Sequence, residues 1–332
     1  MGSSLNQCMP LENMVDRYQQ RTGYKGDIGK VARLISQDFN LGSVVKSHVI
    51  PIGYEDYNLC LETDQGKYFV KVFSTLRTDA DCKRNVRIVE KALDAGAQVP
   101  PLMRSSQGYL WAKSVDGTKL RLCVMECIDG KDYFSAGSSP SIKDIRTIAR
   151  QAALINTIDL RPAFIYDSWA IVNFPSEFDK KNQYLPTEDF KLIEPLSYQF
   201  NKANIKKLPH CFVHGDIIRT NVVKDKKGRN WIVDFSVANY YPRIQELAVL
   251  ACDICFDSSS KRNSEKKLSI ALEEYQKRIT LSKQEHDMLP LFIKVAHAMH
   301  VLCGTYEREA KSNTTRENEY FIKKGRAGLR QI

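Results

Sequence analysis

The chain is 332 residues long, 43% hydrophobic and 27% charged, and its 49 Lys and Arg against 39 Asp and Glu leave it at +10. The length allows two domains, and the sequence contains no internal repeat or long low-complexity tract. The positive balance would draw anions, but the basic residues are dispersed; without a continuous basic face or interleaved aromatics, no nucleic-acid partner is expected.

Residues 10–40 read as helical: LENMVDRYQQ, then DIGKVARLISQDF with apolar residues at 28, 31, 34, 35 and 39, close to helical spacing. Asp27 is placed to cap the second of these helices. From Ser47 the pattern turns to strands. SHVIPIG leads to a turn at Tyr54-Glu55-Asp56, then YNLCLET, the turn Asp64-Gln65-Gly66 and KYFVKVF, an alternating hairpin. A helix through DCKRNVRIVEKALDAG ends at Gly96, which suits a helix C-terminus. After Val99-Pro100-Pro101 come the strand candidates GYLWAKS and LRLCVMECI, joined at Asp116-Gly117. Beyond residue 128 the periodicity is helical in SIKDIRTIARQAALINTI, LAVLACDICF, KKLSIALEEYQKRI and LPLFIKVAHAMHVLCGTYEREA, apart from strands at 211–235. KDKKGR, at 224–229, reads as a solvated hairpin turn around Gly228. Three parts are expected: a helical extension over 1–39, a small β-rich lobe over 40–127 and a larger, mostly helical lobe over 128–332.

No stretch approaches the length of a membrane span. The opening MGSSLNQCMP lacks the order of a secretory signal and has Asn6 where a myristoylation pattern wants Ser or Thr. A cytoplasmic protein with no membrane partner is expected. Nine scattered cysteines, an odd count, argue for a reducing compartment. The lone CxxC, Cys252-Asp253-Ile254-Cys255, has no second pair and reads as buried helical cysteines. His297 and His300 lie three apart with no third ligand beside them in sequence, and read as core or interface histidines.

The chemistry is concentrated in His214-Gly215-Asp216, Asn221 and Asp234-Phe235. Phosphoryl transfer needs a carboxylate to take the acceptor's proton and oxygen ligands to hold Mg²⁺ against the phosphates. Asp216 is placed for the first job, and Asn221 and Asp234 for the second. One short loop can present Asp216 and Asn221 together. The apolar runs Cys211-Phe212-Val213 and Trp231-Ile232-Val233 read as strand ends that fix the loop and Asp234.

This HGDxxxxN…DF pattern resembles the aminoglycoside phosphotransferase/choline kinase family of small-molecule kinases. The resemblance implies an α+β, two-lobed protein-kinase-like fold with the site between the lobes. It implies that Asp216 is the catalytic base, that His214 braces the loop, and that Asn221 and Asp234 bind Mg²⁺, with ATP as co-substrate. Protein kinases have Arg where Gly215 stands and an APE segment after their DFG; here Ser236 follows Asp234-Phe235 and no APE follows. A small hydroxyl compound is therefore the expected acceptor.

Lys71 lies on the third strand of the small lobe, with Phe69 and Phe73 on its face and Val70 and Val72 on the other. In related enzymes such a lysine holds the α- and β-phosphates, positioned by a Glu on the next helix. Counting back from Gly96 puts that partner near Asn85, which is no carboxylate. Glu90 is the only Glu on the helix, and Asp81 lies nearer its start. No GxGxxG covers the phosphates. The loop is Ile52-Gly53-Tyr54-Glu55-Asp56-Tyr57-Asn58, where Gly53 permits close backbone approach; Gly53-x-Glu55-x-x-Asn58 is similar to the loop of the homoserine kinase-like branch. Met125-Glu126-Cys127-Ile128 corresponds to the connector whose backbone meets the adenine edge, with contacts from Glu126 and Ile128 that leave GTP open beside ATP.

For the acceptor, Tyr240, Tyr241, Asp253 and Asp257 are candidates. Arg243 and Glu246 resemble a segment whose acidic residue braces the catalytic loop. A zwitterionic amino acid or an amino alcohol, such as homoserine or hydroxylysine, suits the composition better than a polycationic aminoglycoside. The alternatives are an antibiotic kinase of the same fold and a non-catalytic nucleotide-binding protein on that scaffold.

Overall fold

The computed structural model describes residues 18–50 and 56–331. The expected phosphate-loop residue Gly53, with Ile52, Tyr54 and Glu55, lies outside the described residues. The chain divides into two compact units. One holds the described residues up to Glu90 together with Pro100–Ile128; the other holds Lys91–Val99 and the described residues from Asp129 onward.

The first unit is built on an antiparallel sheet of β1 (Val44–Ile50), β2 (Tyr57–Thr63), β3 (Gly66–Val72), β4 (Trp111–Val115) and β5 (Thr118–Glu126), in the order β1-β2-β3-β5-β4. Alternation along β3 sorts its side chains between two cores. Tyr68, Val70 and Val72 join Leu59, Leu61, Trp111 and Leu122. Phe73, just past the strand, joins Cys123 and, from α2 (Asp79–Asp94), Cys82 and Val86. Helix α1 (Ile28–Asp38) covers the first core with Val31 and Ile35. Asp27 starts it, accepting from the N–H groups of Gly29 and Lys30 at 2.8 and 3.0 Å, donors that a helix start otherwise leaves orphaned. Residues 18–39 thus share the core of the sheet.

Between β4 and β5, Asp116 and Gly117 both have positive φ, 49° and 80°, the geometry of a two-residue hairpin turn. Asp116 holds that conformation by accepting from the Tyr24 hydroxyl at 3.0 Å and pairing with Lys30.

In the second unit, β6 (Gly130–Asp132), β8 (Val222–Asp225) and β9 (Asn230–Ile232) form one small sheet, and β7 (His210–Val213) pairs with β10 (Asn239–Pro242). β6 and β10 stand where the sequence shows no strand pattern, because three or four residues are too few to display alternation. Gly130 lets β6 approach β8 closely; a Cβ there would lie 2.4 Å from the Lys224 carbonyl oxygen. The helices are α3 (Ile142–Asn156), α4 (Phe174–Lys181), α5 (Thr187–Lys202), α6 (Ile244–Cys252), α7 (Lys261–Gln276), α8 (Lys283–Lys311) and α9 (Arg316–Gln331).

Helix α8 corrects one expectation, since by length and composition it could cross a membrane. Of its most apolar 18-residue window, 72% is buried inside the protein, which marks it as a core helix. It also begins before the apolar run that starts at Leu289. Ser282 and Glu285 form a reciprocal capping box, and the helix continues through Pro290. All eight described cysteines are free thiols.

Trp111 is fully buried, and its indole N–H donates to Asp38 Oδ2 at 2.6 Å. Trp111→Ala removes both the largest side chain of this core and a tie to α1. The expected cost is about 3–5 kcal/mol, read as a lower urea midpoint for the first unit; an unchanged midpoint would contradict this packing.

Candidate active site

Strand β7 delivers the chain, through the fully buried Phe212 and Val213, to His214, which is itself inaccessible to solvent. Its Nε2–H donates to the Val233 carbonyl at 3.2 Å, and its Nδ1 accepts from the Asp216 N–H at 3.2 Å. Only a neutral imidazole can do both. Burial secures that form by pushing the His214 pKa down to about 4, against the opposing pull of the Asp234 charge. The ring also packs on Phe235, with centroids 4.4 Å apart. His214 therefore ties the loop to the segment that carries Asp234.

Gly215 has φ +81°, and a Cβ there would meet nothing closer than 3.7 Å. The glycine is required by the backbone turn and not by crowding. Below it, the buried Glu246 of α6 accepts from the N–H of His214 at 2.6 Å and of Gly215 at 3.2 Å. Asn156, at the end of α3, donates to the same carboxylate at 3.3 Å.

Asp216 projects from this braced turn, half-buried. Asn221 Nδ2 donates to its Oδ2 at 2.6 Å and to its backbone oxygen at 3.0 Å. Burial first, then the negative charges of Asp167, Asp234 and Glu317, push the Asp216 carboxyl up to about 8, against the Asn221 hydrogen bond. Val233 N–H donates to the Asn221 carbonyl at 3.0 Å, which sets the stretch before Asp234 beside Asn221. Asp234 is exposed, has φ +65° and accepts from the Ser236 N–H at 3.3 Å. A left-handed aspartate costs of order 1 kcal/mol and aims the carboxylate away from the strand direction. With Nδ2 committed to Asp216, Asn221 keeps its amide oxygen as a ligand atom. An amide oxygen and an exposed carboxylate are both hard-oxygen donors of the kind that suits Mg²⁺.

Within the first unit, Lys71 is buried and its ammonium lies 3.5 Å from Asp56 Oδ2. Asp56 also accepts from Arg77 Nε at 2.7 Å and from the Ser74 N–H at 3.1 Å. The carboxylate that reaches Lys71 thus comes from the residue before β2. Glu90 is half-buried on α2 and has no part in that pair, and Asn85 is buried there with its Nδ2 unpartnered. Asp56 was missed because no spacing rule links it to the lysine; only the strand register β2–β3 brings the two together. At the end of β5, the Glu126 N–H donates to Pro101 O and the Cys127 N–H to Lys67 O, whereas the Ile128 N–H makes no backbone hydrogen bond among the described residues.

The acceptor candidates separate. Asp253 is fully buried, accepting from the Arg219 N–H at 2.7 Å and pairing with Lys324. Asp257 caps the turn into α7 through Ser259 and Asn263. Tyr240 is exposed on β10, stacked with His210, while Tyr241 is buried and bonded to Asn239. Arg243 forms an ion pair with Glu285 at 2.6 Å. Asp167 and Glu317, which the sequence did not single out, act electrostatically on Asp216 instead. Asp167 lies in irregular chain and Glu317 in the first turn of α9, where an acid normally signals helix capping.

The profile described as "Phosphotransferase enzyme family" matches residues 47–269. A homoserine kinase from Parvibaculum lavamentivorans is 20% identical over 275 residues, 81% of this chain and 83% of its own length. Among solved structures, a spectinomycin phosphotransferase in complex with ADP and spectinomycin superposes with a TM-score of 0.64 at 13% identity, covering 92% of this chain and 98% of that one. A choline kinase from Streptococcus pneumoniae gives 0.59 at 16% identity, covering 91% and 100%. These likenesses establish a kinase-like α+β fold.

The raised Asp216 pKa has a stability consequence. An unfolded Asp titrates near about 3.9, so below that pH both states are protonated and the site costs nothing. Between there and about 8 the folded state alone keeps the proton, and stability falls as pH rises. In metal-free buffer, Asp216→Asn should match wild type in Tm near pH 4 and exceed it by a margin that grows to pH 8 and then levels. A margin independent of pH would refute the assignment.

Proposed function

The chain belongs to the Phosphotransferase enzyme family and is a small-molecule kinase with an alcohol acceptor, and from that premise we propose that it moves the γ-phosphate of ATP to a hydroxyl on a compound that also carries an amine. The observation that supports the amine is the set of carboxylates acting on Asp216, namely Asp167, Asp234 and Glu317, in a protein whose net charge is +10. An ammonium group beside the reacting hydroxyl would relieve that repulsion.

In this reading Asp216 accepts the hydroxyl proton, and a base that titrates near neutrality is matched to that task. Asn221 holds the Asp216 carboxylate in place through its amide N–H. The amide oxygen of Asn221 and the carboxylate of Asp234 would hold Mg²⁺, which when bound neutralises phosphate charge. His214, neutral and anchored at both nitrogens, keeps the loop fixed. Lys71, held by Asp56, would contact the nucleotide phosphates. The Ile128 N–H and the Glu126 carbonyl would meet the adenine edge, and Gly53 would line the phosphates.

Amino alcohols fit this reading directly. Homoserine and hydroxylysine, which add a carboxylate, form a second reading supported by the homoserine kinase relative. Aminoglycosides share the amine, and the acidic surroundings of Asp216 supply what the overall charge does not suggest. A non-catalytic role rested on the missing carboxylate near position 85; the pairing of Lys71 with Asp56 removes that support.

Asp216→Ala should retain nucleotide binding and lose ~10²–10⁴-fold in kcat, whereas Asp234→Ala should also lose Mg²⁺-dependent nucleotide binding. The assay is phosphate transfer from ATP·Mg²⁺ to a panel of ethanolamine, aminopropanol, choline, homoserine, hydroxylysine and aminoglycosides, with mass detection of products. Wild-type turnover in Asp216→Ala would sink the catalytic assignment. Preference for hydroxyl compounds without an amine would sink the acceptor class.

A further inference from the structure

Cys252 ends α6, and His297 and His300 lie one turn apart on α8. The fold brings one ligand atom from each of the three within 4.8 Å of the other two. In sequence the two histidines lack a third ligand; the packing of α6 against α8 supplies it.

Three observations fit a bound ion. Cys252 Sγ lies 3.7 Å from His300 Nδ1, and a tetrahedral ion with bonds of about 2.3 Å to sulfur and 2.0–2.1 Å to nitrogen holds those atoms about 3.6 Å apart. His297 is 1% exposed, and its Nδ1 has no hydrogen-bond partner, an orphan that native interiors rarely keep. The rings are also fixed in place: His300 stacks on Phe321 at 5.0 Å, and His297 sits edge-on to Phe256 at 4.8 Å. Helix α9 makes room for His297 only because residue 328 is glycine, since a Cβ there would fall 2.1 Å from His297 Nδ1. Burial keeps both imidazoles neutral, at about 3 for His297 and about 4 for His300, so neither has a proton to lose before it coordinates.

We propose that Cys252, His297 and His300 bind one thiophilic d¹⁰ metal ion, Zn²⁺ or Cu⁺, that joins α6 to α8. The donor set is one thiolate and two imidazoles, which selects such ions over the hard cation suited to Asn221 and Asp234. Binding forms one metal–sulfur and two metal–nitrogen bonds, and the Cys252 thiol proton leaves to solvent. Zn²⁺ would take a fourth donor from water; Cu⁺ is satisfied by three and leaves the buried site without net charge. Burial raises the Cys252 thiol, against the pull of the nearby Lys324, so binding has a proton to displace.

The test uses the full chain, stripped of metal and saturated with Mg²⁺. It is titrated with Zn²⁺ or, anaerobically, with chelator-buffered Cu⁺, and the bound ion is counted by elemental analysis. One equivalent per chain is expected, with whichever ion gives it naming the occupant. Co²⁺ as a spectroscopic probe should show thiolate-to-metal charge transfer and tetrahedral d–d bands. Cys252→Ser should abolish the charge transfer, and His297→Gln should weaken binding at least tenfold while far-ultraviolet circular dichroism stays unchanged. If Cys252→Ser fails to fold, the wild-type charge transfer and His300→Asn decide the question. Absence of stoichiometric binding in wild type, or its persistence in His297→Gln, would overturn the proposal. So would loss on His48→Ala, which would place the ion at the other trio, His48, Cys60 and Glu62.

Discussion

The buried carboxylate of Glu246 is the constraint on which the loop carrying Asp216 depends. It gathers the N–H groups of His214 and Gly215, and it in turn receives Asn156, whose other contacts reach Phe212 O at 3.0 Å and the Tyr275 hydroxyl at 2.8 Å. One side chain thus fastens β7, the turn at Gly215, α3 and α7 to α6. Burial raises its pKa to about 7 while the N–H groups oppose that rise, which is the balance expected when fixed backbone donors must compensate for lost water. The geometry of Asp216 follows from this anchor, because the residue after a glycine turn points wherever that turn is held.

The charge distribution around that anchor is opposite in sign to the protein as a whole. Carboxylates from irregular chain, from the segment after β9 and from α9 act on one aspartate, and the buried Lys324, paired with Asp253, interacts with it through the opposite charge. Local potential depends on which elements converge, whereas net charge records only composition. His214 is neutral and adds no compensating charge.

Much of this was legible in the chain itself. The loop from His214 to Asp234 is contiguous, so spacing alone placed its residues together, and the Asp27 cap and the Asp116-Gly117 turn are local events written in adjacent residues. The hairpin of β2 and β3 showed plainly because each strand alternates for seven residues. What stayed hidden depends on contacts distant in sequence or elements too short for a period. β6 and β10 are examples of the latter. Asp56 reaches Lys71 through strand register, Asp167 and Glu317 act on Asp216 from separate elements, and Cys252 meets His297 and His300 across two packed helices. The start of α8 was obscured by Pro290, which interrupts the helical pattern without ending the helix.

The source of the Lys71 carboxylate bears on control. In kinases where a helix supplies that partner, displacing the helix dismantles the lysine contact and silences the enzyme. Here the partner precedes β2 and is gripped by Ser74 and Arg77, so sheet and turn assemble the lysine site together with the fold. Among the described residues α2 offers Lys71 no carboxylate, so a shift of that helix would leave the pair of Lys71 and Asp56 in place.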